Sequence, residues 1–263
     1  FAATGGQLLQ EWQPATLVSM LDQQGPRAVI WQGATGYAQD LRVLHYRKAE
    51  RDFYLLVNEG ESALTGTLTL STRGTLELWD PLTGTTQPWP GRPQNHSVET
   101  SLWLDRRQSL VLAVDQARSD ITEGNFPSQP GVAIQQIAGP WYVTDNAGNL
   151  LTLPAPGNWA QVVGWETFAG TLTYTTEFTV APEHHGQTLF LDLGVVGDIA
   201  EVLLNDHHLG RCAWSPYRFR IDNCCQLGVN KLTVHVTNSI ANYYEGMQLP
   251  SGLIGPVLLR GAA

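Results

Sequence analysis

The stretch Leu189–Asn238 reads LFLDLGVVGDIAEVLLNDHHLGRCAWSPYRFRIDNCCQLGVNKLTVHVTN and decides the fold of the second half of the chain. Short apolar runs alternate with polar residues in it, as in strands that bury one face. The pattern predicts four strands, at Leu189–Leu193, Ala200–Asn205, Tyr217–Ile221 and Lys231–Asn238. Three turn segments separate them: the polar turn 205–208, the aromatic loop 214–217 and a Leu-Gly-Val-Asn corner at 227–230. An antiparallel β-sandwich is the expected fold.

The same alternation extends through the rest of the chain. In Thr171–Val180, Leu172, Tyr174, Phe178 and Val180 are predicted to face the core, and the intervening polar residues to face water. In the first half, strands are predicted at Leu41–Arg47, Phe53–Asn58, Ala63–Ser71, Gly74–Trp79, Ser97–Leu104 and Gln108–Val114. Six or seven short strands at this spacing are typical of an antiparallel sandwich.

Helical spacing is confined to the start of the chain. Leu8, Leu9, Trp12, Leu17, Met20 and Leu21 recur at helical intervals, Pro14 suits the first turn of a helix, and Gly25-Pro26 ends it. The segment 117–131 is polar and rich in Pro and Gly, as domain boundaries often are. We expect a tail of an upstream domain at 1–26, an immunoglobulin-like sandwich at 27–118, a linker at 119–131 and a jelly-roll sandwich at 132–263.

Composition excludes several functional classes. The 263 residues are 43% hydrophobic and 15% charged, which is enough apolar matter for two domain cores. The formal net charge of −9 argues against nucleic acid as a partner, and no apolar run is long enough for a membrane span. The chain begins Phe-Ala-Ala-Thr-Gly-Gly, which is neither an initiator Met nor a signal peptide. We expect a fragment of a longer chain, with any catalytic domain upstream.

The cysteines do not form a disulfide framework. Only Cys212, Cys224 and Cys225 are present, so small half-buried packing residues are expected. A bridge from Cys212 to Cys224 or Cys225 is left open, because geometry decides it. The compartment is also left open, with a slight preference for the bacterial periplasm or exterior.

Motifs in the second half resemble the sugar-binding β-sandwich modules of glycoside hydrolases. The run AEVLLNDHHLG at 200–210 resembles "aEVxxNgxxlG", and Trp214–Tyr217 and Leu227–Asn238 resemble "wxPY" and "LxxGxNxLxVxVxN". The segments 137–141 and 159–174 resemble the opening "xGpW" and the "W…fsGtxxY" segments of these modules, and LDLG at 191–194 then leads into the run at 200–210. The ending SGLIGPV at 251–257 resembles that of family 106 glycoside hydrolases, the α-L-rhamnosidases, and HYR, FYLLVN and LWDPLTG in the first half resemble their preceding sandwich.

The resemblance implies an accessory role. It covers roughly residues 27–260 and predicts an immunoglobulin-like sandwich followed by a galactose-binding-like jelly roll. The catalytic carboxylates of family 106 lie in an upstream barrel, and no residue here matches them. The chain is therefore expected to bind carbohydrate weakly, or to brace the upstream catalytic domain of its own chain. Family 2 enzymes of the β-galactosidase type carry a similar module. A ligand-free structural pair of sandwiches and a self-contained hydrolase are two further hypotheses.

No catalytic or metal site is predicted. A glycosidase needs two carboxylates roughly 5–10 Å apart. The acids available are Glu166, Glu177, Asp192, Asp198, Glu201, Asp222 and Glu245, and we expect solvated surface charges there. The pairs 184–185 and 207–208 are adjacent histidines that point opposite ways, so solvated turns are expected rather than metal chelation. Oxygen ligands at Asp198, Asp222 or Asn223 permit a structural Ca²⁺ without indicating one, and no cofactor is predicted.

The aromatic loops supply the candidate binding site. Trp159, Trp165 and Tyr174 fall where the sandwich needs core residues. The predicted carbohydrate-binding residues lie instead in two loops, and they are Trp214, Tyr217, Asn242, Tyr243, Tyr244 and Glu245. Sugar C–H faces pack on flat rings, and nearby polar groups then fix their orientation. The alternative for these loops is an interface with the catalytic domain.

Overall fold

The computed structural model describes residues 13–24, 27–36, 38–81, 84–118, 126, 130–184 and 186–262. The chain divides into two compact units, Phe1–Phe126 and Pro127–Ala263. Each unit has a hydrophobic core of its own. Most of the predicted linker 119–131 lies outside the described residues, so its bounds stay a prediction.

The first unit opens with a helix and continues in strands. Helix α1 is Pro14–Gln24, with Pro14 at its first position as predicted, because a helix needs no N–H donor there. The predicted apolar positions 8, 9 and 12 and the Gly25-Pro26 stop lie outside the described residues. The strands are β1 Val29–Thr35, β2 Leu41–Lys48, β3 Arg51–Asn58, β4 Leu64–Leu70, β5 Thr75–Trp79, β6 Thr86–Pro88, β7 Arg92–Pro93, β8 Val98–Leu104 and β9 Ser109–Asp115, with a 3₁₀ turn at Ala38–Asp40.

These strands form two antiparallel sheets with a shared core. Their orders are β1-β4-β8-β7 and β2-β3-β9-β5-β6. The leucines of β4 that were predicted to face inward, Leu64, Leu68 and Leu70, are fully buried. They pack in one cluster with Tyr54 and Leu112 of the other sheet. The six predicted strands are present, whereas β1, β6 and β7 were not predicted.

The second unit contains the remaining strands and a short helix. The strands are β10 Pro130–Gln136, β11 Trp141–Thr144, β12 Leu150–Leu153, β13 Thr171–Val180, β14 Leu189–Asp192, β15 Val195–Gly197, β16 Ile199–Leu204, β17 His207–Cys212, β18 Arg218–Arg220, β19 Gly228–Thr237, β20 Gly252–Gly255 and β21 Leu258–Ala262. Helix α2 is Ala241–Glu245, and 3₁₀ turns lie at Trp159–Gln161 and Pro182–His184. Helix α2 falls where a loop was predicted, and it has only five residues.

Two large sheets enclose the core of the second unit. Their orders are β12-β11-β13-β19-β16-β17 and β10-β21-β14-β18, and β15 pairs with β20 beside them. The longest ladder joins β13 to β19, from Thr171 opposite Thr237 to Val180 opposite Gly228. Alternate residues of both strands are buried, which confirms the predicted inward and outward faces. The predicted all-β fold of antiparallel sandwiches is confirmed. Among the residues that the structure describes, no helix is long and apolar enough to cross a membrane.

The tight turn between β16 and β17 also forms as the sequence predicts. Asn205 and Asp206 have φ values of 50° and 66°, the left-handed conformation that short polar residues tolerate. Leu204 pairs with His207 across this two-residue turn, so both histidines predicted in the turn belong to β17. The Asn205 amide fixes the corner by donating to the Cys224 carbonyl at 3.0 Å.

Candidate functional site

Register brings the two aromatic segments to the same end of the second sandwich. Ala200 of β16 pairs with Cys212 on one side and with Val236 on the other. Strands β17 and β19 therefore leave the sheet at the same end. The segments that follow them are 213–217 and 238–249, which we call the aromatic end.

Asp198 joins these two segments. Its carbonyl accepts a hydrogen bond from the Tyr217 hydroxyl, and its Oδ2 accepts one from the Ser239 N–H at 2.7 Å. Its own N–H donates to the Thr237 carbonyl at 3.2 Å. One residue thus ties the loop after β17 to the start of the segment after β19.

Three of the predicted rings lie on the surface of the aromatic end. Trp214 is 51% exposed, Tyr243 63% and Tyr244 74%. The Tyr243 and Tyr244 rings meet edge to face, with centroids 5.0 Å apart. Glu245 is also exposed, at the last position of α2. Exposed rings beside a carboxylate are a surface on which the C–H face of a sugar packs while its hydroxyls donate hydrogen bonds.

Tyr217 and Asn242 are corrections to the predicted site. Tyr217 is buried, its hydroxyl is bonded to Asp198, and burial raises its pKa to about 12. Asn242 is 2% exposed, its amide donates to the Leu249 carbonyl at 2.8 Å, and its carbonyl accepts from the Leu249 N–H at 2.6 Å. These side chains hold the two segments in place, which leaves them no surface for a ligand.

A network of asparagines that joins the segment 238–249 to neighbouring loops was not predicted. Asn238 and Asn242 each donate to the Ser251 hydroxyl at 3.2 Å, and Asn158 accepts from the Ser251 N–H at 2.9 Å. Asn158 also accepts from the Ala160 N–H as the N-cap of the 3₁₀ turn at Trp159–Gln161. The network satisfies backbone groups that the loops leave unpaired. The sequence did contain one signal for this network. Asn158 directly precedes the predicted core residue Trp159, and Asn is a preferred residue at the start of a helical turn.

Three acidic residues of the second unit are paired with arginines. Asp192 was expected to be solvated but is buried, and its Oδ2 accepts from Arg218 Nε at 2.9 Å and Arg260 Nε at 2.8 Å. Strand β14 lies between β18 and β21, and each neighbour supplies one arginine. Hydrogen bonds from Arg211 lower the pKa of Glu201, and those from Arg220 lower the pKa of Asp222. A glycosidic general acid requires the opposite shift.

The cysteines are free, and Cys212 lies near the opposite end of β16 from Cys224. Cys212 lies opposite Ala200, whereas the Cys224 carbonyl binds Asn205, five residues further along β16. Five strand residues span about 16 Å, and a disulfide allows at most about 7 Å between Cα atoms. Neither bridge left open by the sequence, Cys212 to Cys224 or Cys212 to Cys225, forms in this structure. Burial raises the pKa of Cys225 to about 11, which makes this thiol unreactive at neutral pH.

No metal cluster forms in the described part of the chain, where His, Cys, Asp and Glu do not gather in threes around a shared point. Asp198 and Asp222 were the candidate Ca²⁺ ligands. Their carboxylates accept hydrogen bonds from the Ser239 N–H and from Arg220 Nε, respectively. His208 bonds Glu201 at 2.7 Å on the exposed edge strand, rather than standing free in a turn.

Comparison with known proteins agrees with this geometry. Residues 158–250 match the family model described as the glycosyl hydrolase 2 galactose-binding domain-like family. The predicted resemblance to the sugar-binding modules of glycoside hydrolases is confirmed. The matched range contains the whole aromatic end and the asparagines at 158, 238 and 242.

The related proteins are glycoside hydrolases by name. A rhamnosidase from Novosphingobium sp. PP1Y has a similar structure, with a TM-score of 0.76 and 26% identity over 94% of this chain. A protein of Formosa agariphila, provisionally named β-glucuronidase, is 39% identical over 85 residues. A β-glucuronidase of an uncultured Clostridium species aligns with 53% of this chain at 20% identity, but its TM-score of 0.42 is too low to support an argument. The chain spans 26% of the length of the rhamnosidase and 7% of that of the Formosa protein.

Proposed function

We propose that this chain is the non-catalytic accessory region of a glycoside hydrolase of the α-L-rhamnosidase type. The observation that carries the proposal is the likeness to the Novosphingobium rhamnosidase, which extends over 94% of this chain and thus over both units. The other three quarters of that enzyme have no counterpart here, which leaves room for a separate catalytic domain. The match to a family 2 module keeps a β-galactosidase-like or glucuronidase-like parent as the alternative.

The activity of the isolated chain tests the non-catalytic role. Asp192, Glu201 and Asp222 are held in ion pairs with arginines, so we expect no hydrolysis of aryl-rhamnosides or aryl-galactosides above buffer. The full-length enzyme, assayed beside it, is the positive control. Turnover by the isolated chain that disappears when one Asp or Glu is mutated would contradict the proposal.

Within that role, we propose that the aromatic end binds carbohydrate. Trp214, Tyr243 and Tyr244 offer ring faces, and Glu245 offers an acceptor for sugar hydroxyls. A monosaccharide presents few atoms and little apolar area, so the expected Kd is roughly millimolar.

Titration by NMR tests the sugar site. Rhamnose, galactose and oligosaccharides should shift amide resonances of the segments 213–217 and 238–249. Trp214→Ala and Tyr243→Ala should abolish the shifts, whereas Val229→Ala, at an exposed residue near the opposite end of β19, should leave them unchanged. If no amide resonance shifts even at high sugar concentration, bracing of the catalytic domain remains as the role of the region.

A surface on the first unit favours bracing as the second candidate function. The register of the sheet β2-β3-β9-β5 aligns two apolar rows on the face away from the core: Leu44, Leu55, Val111 and Trp79 in one, and Tyr46, Phe53 and Ala113 in the other. Leu44 and Tyr46 are 63% and 60% exposed. The outer face of an antiparallel sheet is usually polar, so a contiguous apolar face indicates a covered surface. We propose the catalytic part of the same longer enzyme as the partner that covers it.

Substitutions on these rows test bracing. Leu44→Gln with Tyr46→Gln should leave the stability of the isolated chain within roughly 0.5 kcal/mol, because both side chains face solvent there. In the full-length enzyme the same pair should lower the melting temperature and expose the domain junction to protease. Arg42→Gln, on the same strand face beside Leu44, is the matched control. An unchanged full-length enzyme would exclude this face as the contact.

A further inference from the structure

The aromatic end belongs to a unit whose charge is strongly one-sided, and this bears on the class of sugar that fits it. The inference rests on the proposed sugar-binding role. Residues 127–263 contain ten acidic and five basic side chains, for a formal net charge of −5. Between Arg118 and Arg211 the sequence has no lysine or arginine, and it has none from 232 to 259. The segment 238–249 therefore brings no cation to the site.

Four of the five basic side chains of this unit are paired with carboxylates. Arg218 and Arg260 both bind the buried Asp192, and Arg220 binds Asp222 at 2.7 Å. Lys231 lies at the opposite end of β19 from the aromatic end, where its carbonyl accepts from the Asn205 N–H at 2.9 Å.

Arg211 is the basic residue closest in sequence to Trp214, and it too is paired. Its guanidinium donates to Glu201 Oε2 at 2.7 Å, while His208 bonds the other oxygen of the same carboxylate at 2.7 Å. The Arg211 charge is thereby compensated on the face of the edge strand β17. An anionic ligand at the rings would have to compete with Glu201 for it.

The two segments of the aromatic end contain one acidic side chain, Glu245, and no lysine or arginine. Glu245 directly follows the exposed Tyr243 and Tyr244, and Asp198 links the two segments beneath them. Recognition of a sugar carboxylate or sulfate requires a cation, most often the fork of an arginine. A carboxylate at this end repels such a ligand instead, and it accepts hydrogen bonds from the hydroxyls of an uncharged sugar.

We propose that the aromatic end takes uncharged saccharides, hexoses or deoxyhexoses that present a C–H face to the rings, and discriminates against uronic acids and sulfated sugars. Glu245 is the specificity-determining residue of this discrimination. It acts in two ways, as a hydrogen-bond acceptor for hydroxyls and as a negative charge that opposes anions.

A matched pair of ligands tests the proposal on the chain as it stands. Methyl β-D-glucoside and methyl β-D-glucuronide differ only at C6, where one carries a hydroxymethyl group and the other a carboxylate. In NMR titrations at low ionic strength we expect the glucuronide to bind about fivefold more weakly than the glucoside. In about 1 M NaCl the difference should shrink, because salt screens the repulsion.

Charge reversal at Glu245 gives the decisive comparison. Glu245→Lys should remove the preference by strengthening glucuronide binding. Glu183→Lys makes the same change in net charge in the exposed 3₁₀ turn Pro182–His184 after Val180, at the opposite end of β13, and should leave the preference intact.

The outcomes separate this inference from the proposed function. Equal or tighter binding of the glucuronide by the unmodified chain overturns the neutral-sugar preference and leaves sugar binding standing. An equal response to both charge reversals overturns the assignment to Glu245. Absence of binding by either ligand and by rhamnose overturns the sugar-binding role, and the preference with it.

Discussion

At the scale of single residues, burial separates the groups that hold the aromatic end together from the groups that face solvent. Asn242 and Tyr243 are neighbours in α2, yet Asn242 is 2% exposed and Tyr243 63%. The Asn242 amide satisfies both backbone groups of Leu249, so its loss leaves buried partners unpaired. The exposed Tyr243 ring has no comparable role in the fold.

Asn242→Ala is expected to lower the free energy of unfolding of the second unit by about 2–3 kcal/mol, because buried polar groups then lose their partners. Tyr243→Ala should change it by roughly 0.5 kcal/mol or less. Urea denaturation followed by the fluorescence of the second unit's tryptophans measures both. Equal losses in the two variants would show that the asparagine network contributes nothing specific.

A second residue-scale prediction concerns pH and the first unit. Asp52 is 2% exposed, and its carboxylate accepts from His45 Nε2 at 2.6 Å, from Thr72 at 3.0 Å and from Gln116. Burial opposes the charged form, but these hydrogen bonds outweigh burial and lower the pKa of Asp52. The folded state therefore binds this proton less readily than the unfolded state does.

The stability from Asp52 is thus present above the unfolded pKa of about 4 and is lost as the pH falls through the lowered folded pKa. Asp52→Asn should destabilise the chain at pH 7, and this cost should shrink towards pH 3. Melting temperatures of wild type and variant from pH 7 to pH 3 check the sign. Glu50→Gln, at an exposed carboxylate in the turn between β2 and β3 of the same unit, controls for a general effect of losing one charge. If the destabilisation by Asp52→Asn grew as the pH fell, this would contradict the lowered pKa of Asp52 in the folded state.

At the scale of elements, the turn between β16 and β17 shows that a residue's position in the turn decides its contribution to stability more than its polarity does. Asn205 combines a φ of 50° with three hydrogen bonds, to the Cys224 carbonyl, the Asn230 side chain and the Lys231 N–H. His207 and His208 lie just beyond it on an exposed edge strand, where His208 and Glu201 form a solvent-facing pair. Exposed pairs of this kind contribute little to stability.

Replacing His207 and His208 by Ser should therefore change the free energy of unfolding by roughly half a kcal/mol. Asn205→Ala should cost about 2 kcal/mol, because it strains the left-handed turn and leaves buried groups unpaired. Chemical denaturation of the three proteins compares them directly. A large loss in the histidine variant, or a loss of bound metal from it, would contradict the solvent-exposed role.

At the scale of the whole molecule, the two separate cores indicate two folding units. We expect residues 130–263 alone to unfold cooperatively and to keep β-sheet circular dichroism, because the buried cluster of that unit contains only its own residues. Residues 27–118 should do the same. Limited proteolysis of the whole chain should cut first within 119–131. A piece that is unfolded alone but folded in the whole chain would show that the units depend on each other.

The sequence by itself determined the local and periodic features of this protein. Alternation placed Leu172, Tyr174, Val234 and Val236 in the core because a strand has a period of two, and the Asn-Asp pair at 205–206 specified its own turn. The order of motifs from 200 to 257 was enough to show the resemblance to the galactose-binding-like modules of glycoside hydrolases. Tertiary structure decided what depends on which segments meet. It buried Tyr217 and Asn242 because Asp198 and Leu249 pack against them, and it buried Asp192 because the strands on either side of it each supply an arginine. Strand register alone assembled the apolar rows on the first unit, since Leu44, Leu55, Val111 and Trp79 are distant in sequence and become neighbours only when the sheet forms.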